Sequence, residues 1–327
     1  MFHISLKNSK TYQCSENETL IEGARKSGII LEHSCLSGRC SSCKVKVTSG
    51  ISSATTLELG LSVDEVNAGD ILSCVRKPMS DMKIEAEDLS EYGIVSSKIV
   101  AAKINSIDLL TDDVIKITLR FPPNQFLQFI AGQYVNLIKG NIKRSYSIAS
   151  APNSDSIVEF FIKKYDGGLF SNYLFNEAKV NDLLRVEGPK GTFFLRNIDC
   201  KNVILLATGT VIAPVKAILE SINANPTKFE DKSVYVFWGG RYFKDLFWTP
   251  SFDNFNLSYT AVLSREKSIF AEFGYVQDVL LNKNIELSDS VVYACGSNSM
   301  IQTAKDKLVA NGLMKDNFYS DSFVISN

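Results

Sequence analysis

Cys35, Cys40 and Cys43 lie in one short loop, and with the more distant Cys74 they constrain this chain more than any other feature. The spacing C-x4-C-x2-C followed by one remote cysteine is that of four thiolates around a [2Fe–2S] cluster. Two irons bridged by sulfides need four thiolates aimed at one small object. One tight loop supplies three of them and a distant segment closes the cage. The residues between the ligands, Ser37, Gly38, Ser41 and Ser42, are small or polar, so backbone N–H groups can turn toward the anionic sulfurs and tune the potential. A zinc site competes with this reading, but such sites pair two C-x2-C knuckles and only one is present. Buried free thiols are a second alternative. A disulfide framework does not suit so long and cysteine-poor a chain. Cys14 and Cys200 are expected to stay outside the cluster.

The cysteine loop resembles that of the plant-type ferredoxins, from which it departs at Ser41, where the family usually has Gly. Around it, alternation marks short strands at 2–6, 10–14, 44–48 and 82–86, with a further apolar run at 71–75. A short helix is read at 19–26, with Asn17 as its N-cap and Gly28 past its end. A small sheet crossed by one helix is the β-grasp arrangement that the resemblance implies, placing a ferredoxin domain at 1–90.

The chain has 327 residues, enough for two or three domains. A hydrophobic share of 45%, a charged share of 22% and a net charge of −1 fit a globular protein with no nucleic-acid partner and no attraction to an anionic membrane. The first twenty residues show no basic segment followed by an apolar run, so no signal peptide is expected. No stretch reaches ~18 consecutive apolar residues, so no membrane-spanning helix is expected either. The cytoplasm, where thiols stay reduced, is the expected compartment, and a monomer the expected state. With only His3 and His33, a Rieske centre would leave the four cysteines unexplained.

From residue 98 the pattern changes to strand-like runs at 99–107, 114–121, 133–138, 144–149 and 157–165, separated by turn signals such as Pro122-Pro123 and Gly140-Asn141. This predicts a small antiparallel barrel. From residue 202 apolar runs at 203–206, 234–238, 257–263 and 291–294 alternate with helical patterns at 215–222, 276–281 and 299–310, which predicts a doubly wound α/β domain.

Three pieces of the middle region, Arg144-Ser145-Tyr146-Ser147, Gly168-Leu169-Phe170-Ser171 and Gly188-Pro189-Lys190-Gly191, resemble in that order the ferredoxin–NADP reductase-like flavoenzymes. The resemblance implies a six-stranded flavin-binding barrel at 98–198 and an NAD(P)H-binding domain at 199–327. It implies that Arg144 pairs with the flavin pyrophosphate, a role suited to a guanidinium fork. Tyr146 then packs on the isoalloxazine and Ser147 hydrogen-bonds near the reactive N5. Ser145, Lys163, Gly168 and Ser171 complete the flavin set. Both FAD and FMN suit such a site, and the family implies FAD. Phe323, in the terminal aromatic segment, would stack on the opposite face of the ring or simply anchor the last strand.

In the last domain, Leu206-Ala207-Thr208-Gly209-Thr210-Val211-Ile212-Ala213-Pro214 resembles the G-G-T-G-x-A-P turn of that family, with Thr208 and Val211 where it has Gly. A glycine lets backbone approach a pyrophosphate or nicotinamide closely, so Val211 is expected either to move the turn or to crowd the nicotinamide. Gly209 and Thr210 in this turn, and Cys295, Gly296 and Met300 in a second segment, are the implied nicotinamide contacts. Ser147, Cys295 and Phe323 are the implied catalytic residues, although Cys295 also reads as a small core residue. Arg241 with Asp245 resembles the segment bordering the dinucleotide. Ser264, Arg265 and Tyr275 resemble the residues that hold an adenosine 2′-phosphate, while many members with a fused ferredoxin domain use NADH.

Taken in order, the three domains resemble the fused reductases that pass electrons from NAD(P)H through FAD and a [2Fe–2S] cluster to a partner protein. Two partner classes are implied: oxygenases, and the iron–sulfur dehydrase of CDP-3,6-dideoxyhexose synthesis. The segments 187–195 and 213–217 resemble the CDP-6-deoxy-4-ketohexose dehydrase reductases more closely. Thr208 and Val211 leave one reading of another class, an electron carrier that no longer binds nicotinamide.

Overall fold

In the computed structural model, which describes residues 1–153, 155–196 and 199–322, the chain divides into two units, Met1–Ile94 and Val95–Asn327. The first unit contains β1 (Phe2–Ser5), β2 (Thr11–Cys14), α1 (Leu20–Lys26), β3 (Lys44–Ser49), β4 (Ser52–Ala54), α2 (Val63–Asn67), β5 (Asp70–Leu72), β6 (Arg76–Pro78) and β7 (Met82–Glu85). Its main sheet has the order β2-β1-β7-β3-β5, with β4 and β6 forming a separate ribbon. This is the expected β-grasp arrangement. Leu20, Ile21 and Ala24 of α1 turn inward and join Ile4, Leu72 and Ile84 in the core.

Two local expectations change. The N-cap of α1 is Thr19, not Asn17: the Thr19 hydroxyl accepts from Glu22 N–H and the Glu22 carboxylate accepts from Thr19 N–H, a reciprocal cap that satisfies two otherwise orphaned donors. The run 71–75 is not one strand. The ladder ends at Leu72 and a 3₁₀ turn, Ser73–Val75, follows, because the Leu72 and Ser73 N–H groups donate to the Glu58 carboxylate and the Cys43 carbonyl.

The second unit opens with β8 (Lys98–Thr111), β9 (Val114–Arg120), β10 (Tyr134–Lys139), β11 (Ile142–Ser147), β12 (Ile157–Lys163), α3 (Leu169–Asn176) and β13 (Leu183–Lys190). These strands make a six-stranded antiparallel sheet, order β11-β10-β13-β8-β9-β12, curled into a half-barrel. The sixth strand, β13, is not among the five runs read from the sequence, although Leu184 and Val186 alternate with Arg185 and Glu187; residues 183–188 pair with β8.

The remaining elements are β14 (Asn202–Thr208), α4 (Ala213–Ala224), β15 (Ser233–Gly240), β16 (Asn256–Leu263), β17 (Glu272–Phe273), α5 (Val276–Leu281), β18 (Ser290–Gly296), α6 (Asn298–Ala310) and β19 (Phe318–Ser322). They form a parallel sheet of order β17-β16-β15-β14-β18-β19. From β14 the chain winds outward through β15 and β16, then returns to place β18 on the other side of β14. The order reverses between β14 and β18, and open parallel sheets bind ligands in the crevice at the carboxyl ends flanking such a reversal. Ala149 and Phe161 of the half-barrel share one apolar core with Leu205, Ile212, Ile218 and Trp238. Among the described residues no helix is long and apolar enough to cross a membrane.

Candidate cluster and cofactor sites

Cys40, Cys43 and Cys74 are buried and Cys35 is half-buried. Their sulfurs stand two and two. Cys43 Sγ lies 3.2 Å from Cys74 Sγ, and Cys35 is hydrogen-bonded to Cys40. The bond from Cys40 lowers the Cys35 thiol below its ordinary value, and the same bond, with burial, raises Cys40. Cys74 is likewise lowered by its bond to Cys43, which is itself raised. Among the described residues no group of three or more His, Cys, Asp or Glu side chains is arranged to hold a metal ion. Two pairs of thiols are the donor set that a cluster of two irons, each with two terminal thiolates, requires.

The loop backbone faces the sulfurs. The Ser37 N–H donates to Cys35 Sγ at 3.4 Å, and the N–H groups of Arg39, Ser42 and Gly38 stabilise the thiolates of Cys35, Cys40 and Cys74 respectively. Gly38, at φ +71°, turns the loop where a side chain would be strained. Ser41 is not among the residues with positive φ, so its side chain is accommodated without a glycine. A second loop braces the first. Gly60 N–H donates to Gly38 O at 3.0 Å, and a Cβ on Gly60 would lie 2.2 Å from Cys40 O. In that loop the Glu58 carboxylate accepts from Leu72 N–H at 2.6 Å and from the Arg76 guanidinium, Nε at 3.0 Å, holding the chain on both sides of Cys74. Nothing in the sequence pattern singled out Glu58 or Arg76.

Arg144, Ser145, Tyr146 and Ser147 all lie on β11, paired with Leu137, Asn136, Val135 and Tyr134 of β10. Arg144 is half-buried and its Nη1 donates to Lys143 O at 2.9 Å; no carboxylate among the described residues pairs with it. A guanidinium without an acidic partner suits a pyrophosphate. The Tyr146 ring packs 5.9 Å, centroid to centroid, from Phe170 in the first turn of α3, and burial pushes its hydroxyl pKa well up. Ser145 Oγ donates to Asn136 Oδ1 at 2.7 Å. Gly168 precedes α3, and a Cβ there would lie 2.5 Å from Ser171 Oγ. Ser171 is buried: its hydroxyl donates to Gly168 O at 3.0 Å and accepts from Tyr165 N–H at 3.3 Å, so it braces the turn into α3. Lys163 is ion-paired with Asp113 at 3.0 Å.

At the reversal of the parallel sheet, Gly209 takes φ +58° with open space where its Cβ would be. Trp238 Nε1 donates to Gly209 O at 2.9 Å. Thr208 is accommodated because both neighbouring strands carry glycine: a Cβ on Gly239 would lie 3.2 Å from Thr208 Cγ2, and one on Gly296 2.8 Å from Thr208 Oγ1. The same Cβ on Gly296 would lie 3.0 Å from Met300 Cε. Thr210 is half-buried in the turn beside Val211. Val211 packs against the core and does not take a positive φ, so its side chain sits in the turn without backbone strain. Cys295 is fully buried and its thiol donates to Val211 O at 2.9 Å; burial pushes its pKa well above the ordinary value. Arg241, Arg265 and Tyr275 are exposed at the carboxyl ends of β15 and β16 and at the start of α5. Asp245 caps the Arg241 and Tyr242 N–H groups at 2.9 and 3.0 Å, and the Ser264 and Arg265 N–H groups reach back to Gly240 and Arg241. Phe323 lies outside the described residues.

Three family models match in the order expected: a 2Fe-2S iron-sulfur cluster binding domain over residues 4–79, an oxidoreductase FAD-binding domain over 101–195 and an oxidoreductase NAD-binding domain over 205–306. The CDP-6-deoxy-L-threo-D-glycero-4-hexulose-3-dehydrase reductase of Yersinia pestis is 36% identical over 94% of this chain and 94% of its own. This chain belongs to the NAD(P)H-dependent iron–sulfur flavoprotein reductases. Another relative, the toluate 1,2-dioxygenase electron transfer component of Pseudomonas putida, is 31% identical over 94% of this chain and 93% of its own. Among solved structures, the Amycolatopsis cytochrome P450 reductase GcoB covers 99% of each chain at a TM-score of 0.72 and 22% identity, a likeness of fold.

The NAD-binding domain match runs over 205–306, a span that includes Thr208 and Val211. This reductase carries a [2Fe–2S] cluster, FAD and NAD(P)H. The paired thiols, the Arg144 side chain and the open backbone at Gly209 fit those three groups.

Proposed function

We propose that the reductase delivers its electrons to the iron–sulfur dehydrase of CDP-3,6-dideoxyhexose synthesis, working in the cytoplasm as a monomer. The observation that supports this most is the 36% identity to the Yersinia pestis dehydrase reductase along almost the full length of both chains. The domains are taken as 1–90 for the cluster, 98–198 for FAD and 199–327 for NAD(P)H. When bound, FAD accepts hydride from NAD(P)H and releases electrons singly, and the cluster relays them.

The protein's part is orientation and electrostatics. Cys35 and Cys40 would hold one iron, Cys43 and Cys74 the other, and the N–H groups of Ser37, Gly38, Arg39 and Ser42 stabilise the charge on the sulfurs. Arg144 pairs with the pyrophosphate, Ser145 fixes the hairpin through Asn136, Tyr146 supports the ring and Ser147 donates near its reactive nitrogen. Gly168 and Ser171 shape the start of α3 near the phosphates, with Lys163 at the end of the adjoining strand. Gly209, Thr210, Gly296 and Met300 bound the nicotinamide, and the Cys295 thiol sets their turn by holding the Val211 carbonyl. Arg241, Ser264, Arg265 and Tyr275 border the adenosine end.

The reading is tested by supplying the purified holo-reductase and NADH or NADPH to the Yersinia dehydrase and, separately, to the oxygenase of toluate 1,2-dioxygenase. Turnover of the CDP-sugar without oxygenase turnover is expected. The reverse result would favour the oxygenase reading, for which the 31% identity to the Pseudomonas component speaks.

A further inference from the structure

Helix α4 begins directly after the 209–212 turn, and one face of it grips the chain that leaves β11. Lys216, with 12% of its side chain exposed, donates from Nζ to Ala149 O at 3.0 Å. One helical turn later, Glu220 Oε2 accepts from Ala151 N–H at 2.9 Å. Lys216 is also paired with Glu220 itself and, at 3.1 Å, with Glu159 of β12. Glu159 is tied to the same segment through its backbone: Ala149 N–H donates to Glu159 O at 2.7 Å, and Glu159 N–H to Ser150 Oγ at 3.1 Å. A donor and an acceptor four residues apart on α4 therefore bind the carbonyl and the N–H of one three-residue segment, 149–151. That segment starts two residues after Ser147.

The apolar core around this contact supplies adhesion, and the polar contacts add a directional restraint, since charge-assisted hydrogen bonds have preferred geometry. A buried ammonium held by a carbonyl and two carboxylates has one good position, and largely buried charges are costly unless so paired. We propose that Lys216, Glu159 and Glu220 form a positioning latch that fixes the nicotinamide turn at the start of α4 against the flavin strand end at Ser147, and so sets the distance for hydride transfer. The inference rests on the reading that the end of β11 faces the flavin and the 209–212 turn the nicotinamide.

The test uses the holoenzyme under anaerobic stopped flow with NADH and NADPH. Lys216→Met is expected to slow flavin reduction about ten- to a hundredfold, the cost of a displacement near 1 Å at the reacting atoms, with flavin content and dinucleotide affinity changed less than about twofold. The long-wavelength charge-transfer absorbance of the flavin with bound dinucleotide should weaken in parallel, a signature that a merely structural role would leave alone. Glu220→Gln keeps an acceptor for Ala151 N–H and is the variant to use if Lys216→Met does not fold. A smaller loss of rate is expected from it, while Lys216→Arg should recover part of the rate. Unchanged flavin reduction and charge-transfer absorbance in Lys216→Met, or in folded Glu220→Gln where Lys216→Met fails, would overturn the latch. Failure of the underlying site reading would appear separately, as FAD affinity indifferent to Arg144→Ala.

Discussion

Replacing Glu58 by Ala should loosen the cluster unit by removing the clamp on either side of Cys74. The Glu58 side chain is 8% exposed and that of its partner Arg76 19%. Its loss leaves the Leu72 N–H buried and unpaired and the Arg76 charge without its carboxylate. Breaking a buried ion pair from one side costs about 3–5 kcal/mol. With a fifth of Arg76 in water, about 2–4 kcal/mol is the better figure for this pair. In a unit the size of Met1–Ile94, each kcal/mol shifts the melting temperature by about 4–8 °C, so a fall of about 8–32 °C is expected. Glu58→Gln keeps an acceptor for Leu72 N–H and should lose about half as much. Visible circular dichroism of the cluster reports melting of this unit, and flavin fluorescence reports the other as an internal control. If the cluster signal in Glu58→Ala melts within about 2 °C of wild type, an effect of surface size, the clamp argument is wrong.

Arg144→Ala should weaken FAD binding by about 1.5–3 kcal/mol, roughly ten- to a hundredfold, through loss of a charge-assisted phosphate contact; titration of the apoprotein with FAD measures it, and unchanged affinity would make Arg144 a surface arginine. Asp88 is a pH probe. Burial alone would raise its carboxyl, but hydrogen bonds from Lys10, Ser90 and the Ile30 backbone outweigh burial and hold it at about 2, below its ordinary 3.8. A carboxyl lowered on folding stabilises above its unfolded pKa, so this contribution should be intact above about pH 4 and fade as pH falls toward 2. In Asp88→Asn, acid melts should lose that part of the pH dependence, and an unaltered profile would show that the carboxylate is not stabilised by folding. For Val211→Gly, the packing of Val211 and the Cys295 bond to its carbonyl predict about 1 kcal/mol less stability and no gain in flavin reduction by NAD(P)H. A faster rate in stopped flow would show that the side chain does crowd the nicotinamide.

The four cysteines that the structure brings together in two pairs were legible because cluster chemistry demands cysteine and the loop demands small polar residues between. The parallel strands were legible because both their faces are buried, as at Val203, Leu205, Val234 and Val236. Strand β13 was missed because Gly188-Pro189, read in the sequence only as part of a motif, lies within it and interrupts the short alternation at 184–187. The α1 cap was placed two residues early because Asn17 is a good cap in isolation, whereas Thr19 has Glu22 at the distance that completes a reciprocal cap. Thr208 read as an obstacle until Gly239 and Gly296 were seen beside it, since compensation across strands needs the register. Lys216 and Glu220 look in sequence like any exposed pair on a helix. Only the fold, which brings residues 149–151 against them, makes them a buried contact.

The route proposed for electrons from NAD(P)H leads out through a cluster held by Cys35, Cys40, Cys43 and Cys74. It is tested most directly by mixing the holoprotein and its Cys40→Ala variant anaerobically with NAD(P)H and following flavin and cluster absorbance together. In the wild type, cluster bleaching should follow flavin reduction. In the variant, flavin should still be reduced, iron content should fall below two per chain, and delivery to a one-electron acceptor that needs the cluster should cease. Two irons per chain and undiminished delivery in the Cys40→Ala variant would contradict the claim.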